Sequence, residues 1–350
     1  MKLDRMSLAR FVRRSASFSV SILLLDLMLF VALVLGTVTA ESLAVRILCS
    51  MGAGAMIGML AIVGHDAGHQ TFGMSKTLNR ICGTIAFLPA LHPLSLWEHH
   101  HNRVHHRFTA QIGLDNAFSP MTVDDYLAAS PWQKLKYRFL RSIWGQPFSY
   151  LLDVWFPSIG FPFFGSSTPL TRRNWFDLLL VYAYLPSFLG VTTALSLEVA
   201  GGEWAWAFLN AFTLSFLLPW LIWNALIAFM AIVQHTSPET KWVLPTGQPS
   251  TMSQALAGTV HIVLPEFLDW MFHRVMHHQA HHVNMGIPFQ HLVDAQKTVS
   301  HANGNKLMRR WSIAYHLQLT RRCKLYDPRA GAWLTFEEAL APSRAMEQAA

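Results

Sequence analysis

The fold of this protein is decided by residues 47–69, which read ILCSMGAGAMIGMLAIVGHDAGH. Residues 47–64 carry no charged side chain, and about 20 mostly apolar residues are enough to cross a bilayer as a helix. His65 and His69 follow directly, and their spacing of four puts both on one face if the helix continues. The stretch therefore predicts a membrane span that ends in a pair of candidate metal ligands.

The composition of the whole chain, 350 residues long, is that of a membrane protein. Hydrophobic residues make up 52% of it and charged residues only 13%, whereas typical soluble domains carry about 25% charged residues. Further apolar runs cover about residues 18–38, 176–197 and 204–233. We therefore predict an all-α integral membrane protein, a single domain over residues 1–350 with four transmembrane helices and a helical cap that carries the histidines.

The distribution of basic residues predicts the orientation. If the four runs span the membrane, 26 of the 27 lysines and arginines lie on one side, and only Arg46 lies on the other. Because basic loops stay in the cytoplasm, both termini and the segments 65–175 and 234–350 are predicted to be cytoplasmic, in a multi-pass protein of a bacterial inner membrane. Residues 81–96 and 146–164 are apolar but broken by prolines, which favours helices that lie in the interface.

Charge and cysteine content argue against two other classes of protein. The net charge is +7, but the basic residues flank apolar runs and do not interleave with aromatic residues, so no nucleic-acid partner is predicted. The three cysteines, Cys49, Cys82 and Cys323, form no CxxC pair, which argues against a thiolate metal site and a disulfide framework.

Histidine is unusually frequent, with 18 residues, and most of them belong to three clusters. The cluster residues that we take as candidate metal ligands are His65, His69, His101, His105, His106, His278, His281 and His282. On a helix, the first histidine of each cluster shares a face with the one three or four residues later, and the adjacent histidine points about 100° away. All three clusters fall on the predicted cytoplasmic side, and eight imidazoles suit two transition-metal ions.

The other histidines are better explained by packing or by adventitious metal binding than by a specific metal site. A lone HxxxH pair is more often packing than a ligand set, and the tract His99–His101 alone could bind metal adventitiously. The histidines that we assign to the core, to interfaces or to outer contacts are His92, His261, His273, His277, His291, His301 and His316.

The three clusters together resemble the histidine boxes of the membrane-bound fatty acid desaturase superfamily. The likeness includes residues 64–72 around the first box, Trp97 four residues before His101, the segment 234–238 (QHTSP), and residues 287–295 after the last box. It covers about residues 45–300 and is strongest to bacterial acyl-lipid Δ12 or ω-6 desaturases.

This resemblance implies two non-haem iron ions, with the eight box histidines and His235 of the QHTSP segment as ligands. It also implies O₂-dependent formation of a cis double bond in a fatty acyl lipid or acyl thioester. One departure is Ala231, which stands where the animal acyl-CoA branch has an asparagine that holds a metal-bound water. Another is the second box, which is HxxxHH where many Δ12 enzymes have HxxHH.

The proposed reaction is beyond the chemistry of amino-acid side chains alone. Removing hydrogen from an unactivated methylene needs an oxidant made at a metal, while the protein supplies ligands and substrate placement. Asp66, Glu98, Asp115 and Asp294 are candidates for orienting imidazoles, and each could equally be a solvated carboxylate.

Electrons must come from a separate ferredoxin or cytochrome. A basic surface near Arg309, Arg310, Arg321 and Arg322 could receive this donor or could equally contact anionic lipids.

Two other functions compete with the desaturase hypothesis. A hydroxylase or ketolase of alkanes or carotenoids would use the same metal centre. A membrane metal transporter would need polar residues along its spans, where the sequence offers little beyond Asp26, Asn210 and Asn224. The sequence leaves open the acyl chain length, the double-bond position, the acyl carrier and the electron donor.

Overall fold

Four long helices form the membrane part of the computed structural model, which describes residues 6–165 and 170–341. They are α1 (Ala16–Thr39), α2 (Leu43–Gly68), α8 (Arg172–Ala200) and the continuous stretch Trp204–His235, and each is long and apolar enough to cross a membrane. The last stretch begins as α9 (Trp204–Asn210), passes through a π-helical segment (Ala211–Leu217) and ends as α10 (Leu218–His235). The four predicted spans are confirmed as helices, each a few residues longer than predicted.

Helix α2 is the central helix of the bundle and packs against α1, α10 and the short helix α3 (Lys76–Phe87). Most of its spanning window is buried, whereas α1 and α8 expose most of theirs. A helix that is apolar all round belongs in a protein core, and this explains why the uncharged run 47–64 has no polar stripe. Since α2 runs straight into the first histidine box, the most buried helix of the bundle positions the first two candidate ligands.

The cap is built from short helices between and after the spans. They are α3 (Lys76–Phe87), α4 (Leu94–Glu98), α5 (Val123–Ala128), α6 (Pro131–Leu140), α7 (Pro162–Gly165), α11 (Met252–Ala257), α12 (Glu266–Met271), α13 (His278–Val283), α14 (Leu292–Asn303), α15 (Ile313–Arg322) and α16 (Phe336–Leu340). Two π-helical segments, His99–His105 and Leu151–Gly160, and 3₁₀ turns at Met6–Phe11, Gln146–Phe148 and Phe289–His291 complete the helical part.

Two small β-ladders tie the C-terminal part of the chain to the cap. Strand β1 (His261–Val263) pairs in parallel with β2 (Met308–Arg310). Strand β3 (Leu325–Asp327) pairs antiparallel with β4 (Ala332–Leu334). The first ladder fixes the segment just before the third box against a strand that follows it by about 45 residues.

Both segments that we predicted to be interfacial are helical in part. Residues 81–96 contain the end of α3 and the start of α4, separated by the prolines. Residues 146–164 contain the segment Leu151–Gly160, and Phe148, Phe156 and Phe164 are exposed there. Their depth in a membrane stays a prediction.

A buried hydrogen bond joins the first span to the cap. Asp26, in the middle of α1, is 1% exposed and accepts a hydrogen bond from His273 Nε2 at 2.7 Å. His273 in turn stacks on Phe289. An ionisable residue inside a membrane helix normally faces protein and finds a partner, and Asp26 does both.

Candidate metal centre

The nine histidines singled out in the sequence converge on one site. Two groups of four have ligand atoms that all lie within 4.8 Å of one another, and both are largely buried. The first cluster is His65, His69, His101 and His281, and the second cluster is His105, His235, His278 and His282.

The ninth histidine, His106, lies between the two clusters. Its Nε2 atom is 3.1 Å from His101 Nε2 and 2.9 Å from His281 Nε2, which places it against the first cluster. Its ring centroid is also 4.5 Å from that of His282 in the second cluster. With His106 counted in the first cluster, five imidazoles lie in that cluster and four in the second.

The second box departs from the predicted geometry. The helical argument puts His101 and His105 on one face and His106 apart, but the structure pairs His106 with His101 and sends His105 to the other cluster. The reason is the π-helical segment His99–His105, in which the amide of His106 bonds to the carbonyl of His101, five residues back. Such a wider turn aligns residues five apart. The first and third boxes follow the prediction.

His235 joins the second cluster although it stands outside the boxes. It is the last residue of α10, and its Nε2 lies 2.8 Å from that of His278. Its ring centroid is 4.7 Å from that of His105. The end of the fourth span therefore delivers a side chain to the same site as the end of the second.

Two of the four candidate carboxylates contact box histidines. Asp115 accepts from His105 Nδ1 at 2.7 Å, and its second oxygen accepts from the Ala110 amide at 2.7 Å. Burial opposes ionisation of Asp115, but contact with His105 outweighs it and lowers the pKa of the carboxyl. Asp66 accepts from His65 Nδ1 at 3.3 Å and from the Phe289 amide at 2.7 Å. Both leave the other ring nitrogen of their histidine to face the cluster.

The other two candidate carboxylates form ion pairs with basic side chains. Glu98 pairs with Arg173 at 2.8 Å. Asp294 pairs with Lys297 at 2.8 Å on an exposed helix face, with a side chain 64% exposed.

Thr109 is a site residue that sequence reasoning missed. Its hydroxyl donates to the His105 carbonyl at 2.8 Å and lies 3.2 Å from His282 Nδ1. Because the hydroxyl proton is engaged, His282 donates through Nδ1, and its Nε2 lone pair faces the cluster. The only sequence signal was its position one turn after His105.

The seven histidines assigned elsewhere all lie outside the two clusters. Three of them form hydrogen bonds with other side chains. The partner of His277 is Asp269, that of His316 is Gln146, and that of His92 is the Tyr150 hydroxyl at 2.8 Å. Of these three, only His92 lines the cavity beside the site.

The donor set fits bound transition-metal ions. Both ring nitrogens of His69 are buried without a hydrogen-bond partner in the described part of the chain, a costly state that a metal ligand resolves. Burial, reinforced by neighbouring imidazoles, lowers the pKa of His101, His106, His281 and His282 well below the ordinary histidine value. These rings are therefore neutral, which is the form that binds metal.

Small residues around the first box let the elements approach closely. A Cβ on Gly68 would lie 2.3 Å from the Trp97 ring, and one on Gly83 would lie 2.9 Å from the Ala67 side chain. Trp97 stacks on His101 with ring centroids 4.4 Å apart and meets His65 edge-on. The sequence GHDAGH thus makes room for an indole that packs against His65 and His101.

A narrow cavity of about 130 Å³ reaches both clusters. Its walls include His65 and His101 of the first cluster and His105, His235 and His278 of the second. The apolar residues of the lining include Ala61, Ile62, Phe87, Val154, Ile159, Trp223, Ile227, Met230 and Val275. Such walls suit an unfunctionalised hydrocarbon chain.

Comparison with known proteins agrees with this site. Residues 41–314 match the family described as fatty acid desaturase. The chain is 29% identical to the sn-1 oleoyl-lipid 12-desaturase of Synechocystis sp. over 77% of its length and 73% of the relative's. It is 28% identical to the sn-1 acyl-lipid omega-3 desaturase (ferredoxin) of Nostoc sp., over 72% and 66% of the two chains.

A third relative is the chloroplastic omega-6 fatty acid desaturase of Spinacia oleracea, 25% identical over 80% of this chain and 59% of the relative. Because the family match covers most of the chain, the protein belongs to the fatty acid desaturase family. It is an oxidoreductase that uses O₂ to introduce a double bond into a fatty acyl chain.

Proposed function

We propose that this protein desaturates the acyl chain of a membrane glycerolipid with two non-haem iron ions held by the nine histidines. The observation that carries the proposal is the apolar cavity whose walls include imidazoles of both clusters. Two of the relatives named above, those of Synechocystis sp. and Nostoc sp., act on acyl lipids by their names, which supports a lipid-linked chain over a thioester.

The reaction balances with one O₂, two electrons and two protons, and it yields a cis alkene and two molecules of water. Bound iron would supply the activation of O₂, which no side-chain acid or base can provide. His65, His69, His101, His106 and His281 would hold one ion, and His105, His235, His278 and His282 the other. Asp66 and Asp115 orient two of these rings, and the apolar walls align the methylenes and exclude water.

We also propose that the cap and both termini face the cytoplasm, because nearly all basic residues lie on that side of the four spans. Arg310, Arg321 and Arg322 are exposed there, while Arg309 pairs with Glu239. This surface suits an acidic ferredoxin or cytochrome. Reversing the charge of the three exposed arginines should raise the donor concentration needed for half-maximal turnover.

The decisive experiment is lipid analysis of a host that lacks desaturases and is fed isotope-labelled oleate. The wild type should yield a labelled acyl chain two mass units lighter, with a second cis double bond. His281→Ala should yield none, and His301→Ala, an exposed histidine outside both clusters, should behave like the wild type. An oxygenated product without a new alkene would support the hydroxylase alternative instead.

The metal content tests the two clusters directly. Protein purified from iron-replete cells should hold about two iron atoms per chain, since nine imidazoles exceed what one octahedral ion accepts. A reproducible content of one iron, or zinc alone in active protein, would contradict the proposal.

A further inference from the structure

A second cavity, of about 510 Å³, adjoins the cavity at the metal centre. We name it the vestibule. It is lined by the loop 112–121, by parts of α5 and α6, by residues 149–154, and by Ala228 and Ala231 of α10. Asn116, Tyr150, Val154 and Ala231 line both cavities, so the two cavities lie side by side and share these residues as walls.

Arg141 is a buried cation in the wall of the vestibule. It is 3% exposed, and its Nη2 donates to the carbonyls of Phe118 and Ser119 at 2.9 and 2.6 Å. Its Nη1 is buried without a partner in the described part of the chain. The carbonyls and the face of the Phe118 ring, 3.8 Å away, fix the side chain but leave the second nitrogen unused.

The charge of Arg141 is not balanced by a carboxylate among the described residues. The two carboxylates that line the vestibule have other partners, since Asp153 pairs with Lys136 and Asp125 accepts from Thr122. Lys324 lies behind Arg141 and donates to its carbonyl at 2.6 Å. Burial, aided by Arg141, lowers the pKa of Lys324 to about 8. A buried cation beside a second cation is unfavourable unless an anion joins it.

The elements around the vestibule also carry an apolar surface. Trp132 and Trp144 are 72% and 81% exposed, and Phe139, Phe148 and Phe156 are exposed as well. Aromatic residues exposed on short helices are typical of a surface that lies among lipid headgroups. The ligand of the vestibule is therefore expected to come from the membrane.

We propose that the vestibule binds the phosphodiester of a glycerophospholipid through Arg141, while an acyl chain of the same lipid enters the cavity at the metal centre. Guanidinium matches phosphate oxygens in geometry as well as in charge. This assignment rests on the proposed function for the acyl chain and adds the class of headgroup.

The test compares two lipids that differ only in the headgroup, dioleoyl phosphatidylglycerol and dioleoyl monoglucosylglycerol. Native mass spectrometry of the purified holoenzyme should show at least tenfold tighter retention of the phospholipid. In nanodiscs with a reduced ferredoxin, the phospholipid should also be desaturated at least tenfold more efficiently. Equal retention of the two lipids by the wild type would overturn the proposal without the need for any variant.

Arg141→Gln should lower the ratio of phospholipid to glucolipid, in retention and in turnover, from at least ten to about one. Arg138→Gln is the matched control, because Arg138 lies one turn earlier on α6, donates to the Tyr126 hydroxyl and does not line the vestibule. The ratio between lipids is measured within one preparation, so partial loss of folded protein cancels. Equal losses of retention and turnover for both lipids would mean that Arg141 only stabilises the fold, through its hydrogen bonds to Phe118 and Ser119.

Two further outcomes separate the headgroup assignment from the proposed function. If Arg141→Gln loses only an oleoyl phosphopantetheine thioester and keeps the phospholipid, the phospholipid assignment is overturned. If neither lipid is desaturated but the phospholipid preference in binding depends on Arg141, the headgroup assignment stands and the proposed function fails.

Discussion

Asp115 holds His105 more tightly than any other carboxylate holds a box histidine. One oxygen accepts from the imidazole, and the same carboxylate accepts from the amides of Ala110 and Ala117. In each of these three hydrogen bonds, the carboxylate of Asp115 is the acceptor and an N–H group is the donor. A neutral amide in its place would turn an N–H group toward one of those donors.

Asp115→Asn should therefore lower metal content and turnover by about 10- to 100-fold, the usual cost of losing a group that orients a ligand. Asp294→Asn makes the same chemical change on an exposed helix and should leave both quantities near the wild-type values. Iron analysis and lipid turnover of the two purified variants check this. Similar behaviour of the two variants would contradict the role of Asp115.

His235 is tested against His261, another buried histidine. His235→Ala should remove iron and abolish turnover while the protein still inserts in the membrane, because it deletes a nitrogen of the second cluster. His261→Ala should retain most of the iron, since His261 lies outside both clusters. Wild-type iron content in the His235 variant would remove this residue from the site.

At the scale of residues, the sequence was a good guide to which histidines lie together and a poor guide to the partners of the carboxylates. The box histidines are recognisable because they repeat at helical spacings. Asp115 and Glu98 look alike in the sequence, and only the tertiary contacts with His105 and Arg173 separate them. Arg141 carries no pattern at all, because its role depends on two loops that converge on it.

At the scale of elements, the close packing of α2 and α4 is what places Trp97 against His101. A Cβ on Gly68 would overlap the indole, and overpacking of this kind typically costs about 1–3 kcal/mol or displaces the side chain. Because the indole stacks on a ligand, a displaced Trp97 disturbs the first cluster.

Gly68→Ala should consequently reduce iron content and turnover at least tenfold. Gly190→Ala on α8 is the control, since a Cβ there meets nothing within 4 Å. Thermal melting of both variants, followed beside iron content, shows whether the damage is confined to the site. Unchanged turnover in the Gly68 variant would mean that Trp97 can move without cost.

The second box shows the limit of a helical wheel. Its histidines lie on a helix, as predicted, but the π-helical hydrogen bonds shift which of them share a face. Nothing in the tract HHHNRVHH marks this change of hydrogen-bond pattern. The helical structure of the second box was predictable from the sequence, but which of its histidines share a helix face was not.

At the scale of the whole molecule, the hydropathy of the sequence predicts the four spans, but it does not predict how the cap is arranged. Apolar runs of 20 residues have no alternative to a membrane helix, whereas the cap consists of short helices fixed by tertiary contacts. The ladder between β1 and β2 joins distant segments through three residues each and leaves no recognisable pattern.

The predicted orientation can be measured by labelling single cysteines in a background with Cys49, Cys82 and Cys323 replaced by alanine. In intact spheroplasts, Ser42→Cys, in the exposed turn between α1 and α2, should react with a membrane-impermeant maleimide. Lys297→Cys, exposed on the cap, should react only after lysis. The opposite pattern would place the cap outside the cytoplasm.

The way the chain distributes its ligands also limits how the protein can be divided. The first cluster needs residues from His65 to His281, and that stretch already contains every member of the second cluster except His282. The second and third boxes each send side chains to both clusters. A split of the chain between the second and third boxes therefore breaks both clusters, whereas a split between the first and second boxes breaks only the first. The two clusters share the second and third boxes, and neither cluster can form without both of these boxes.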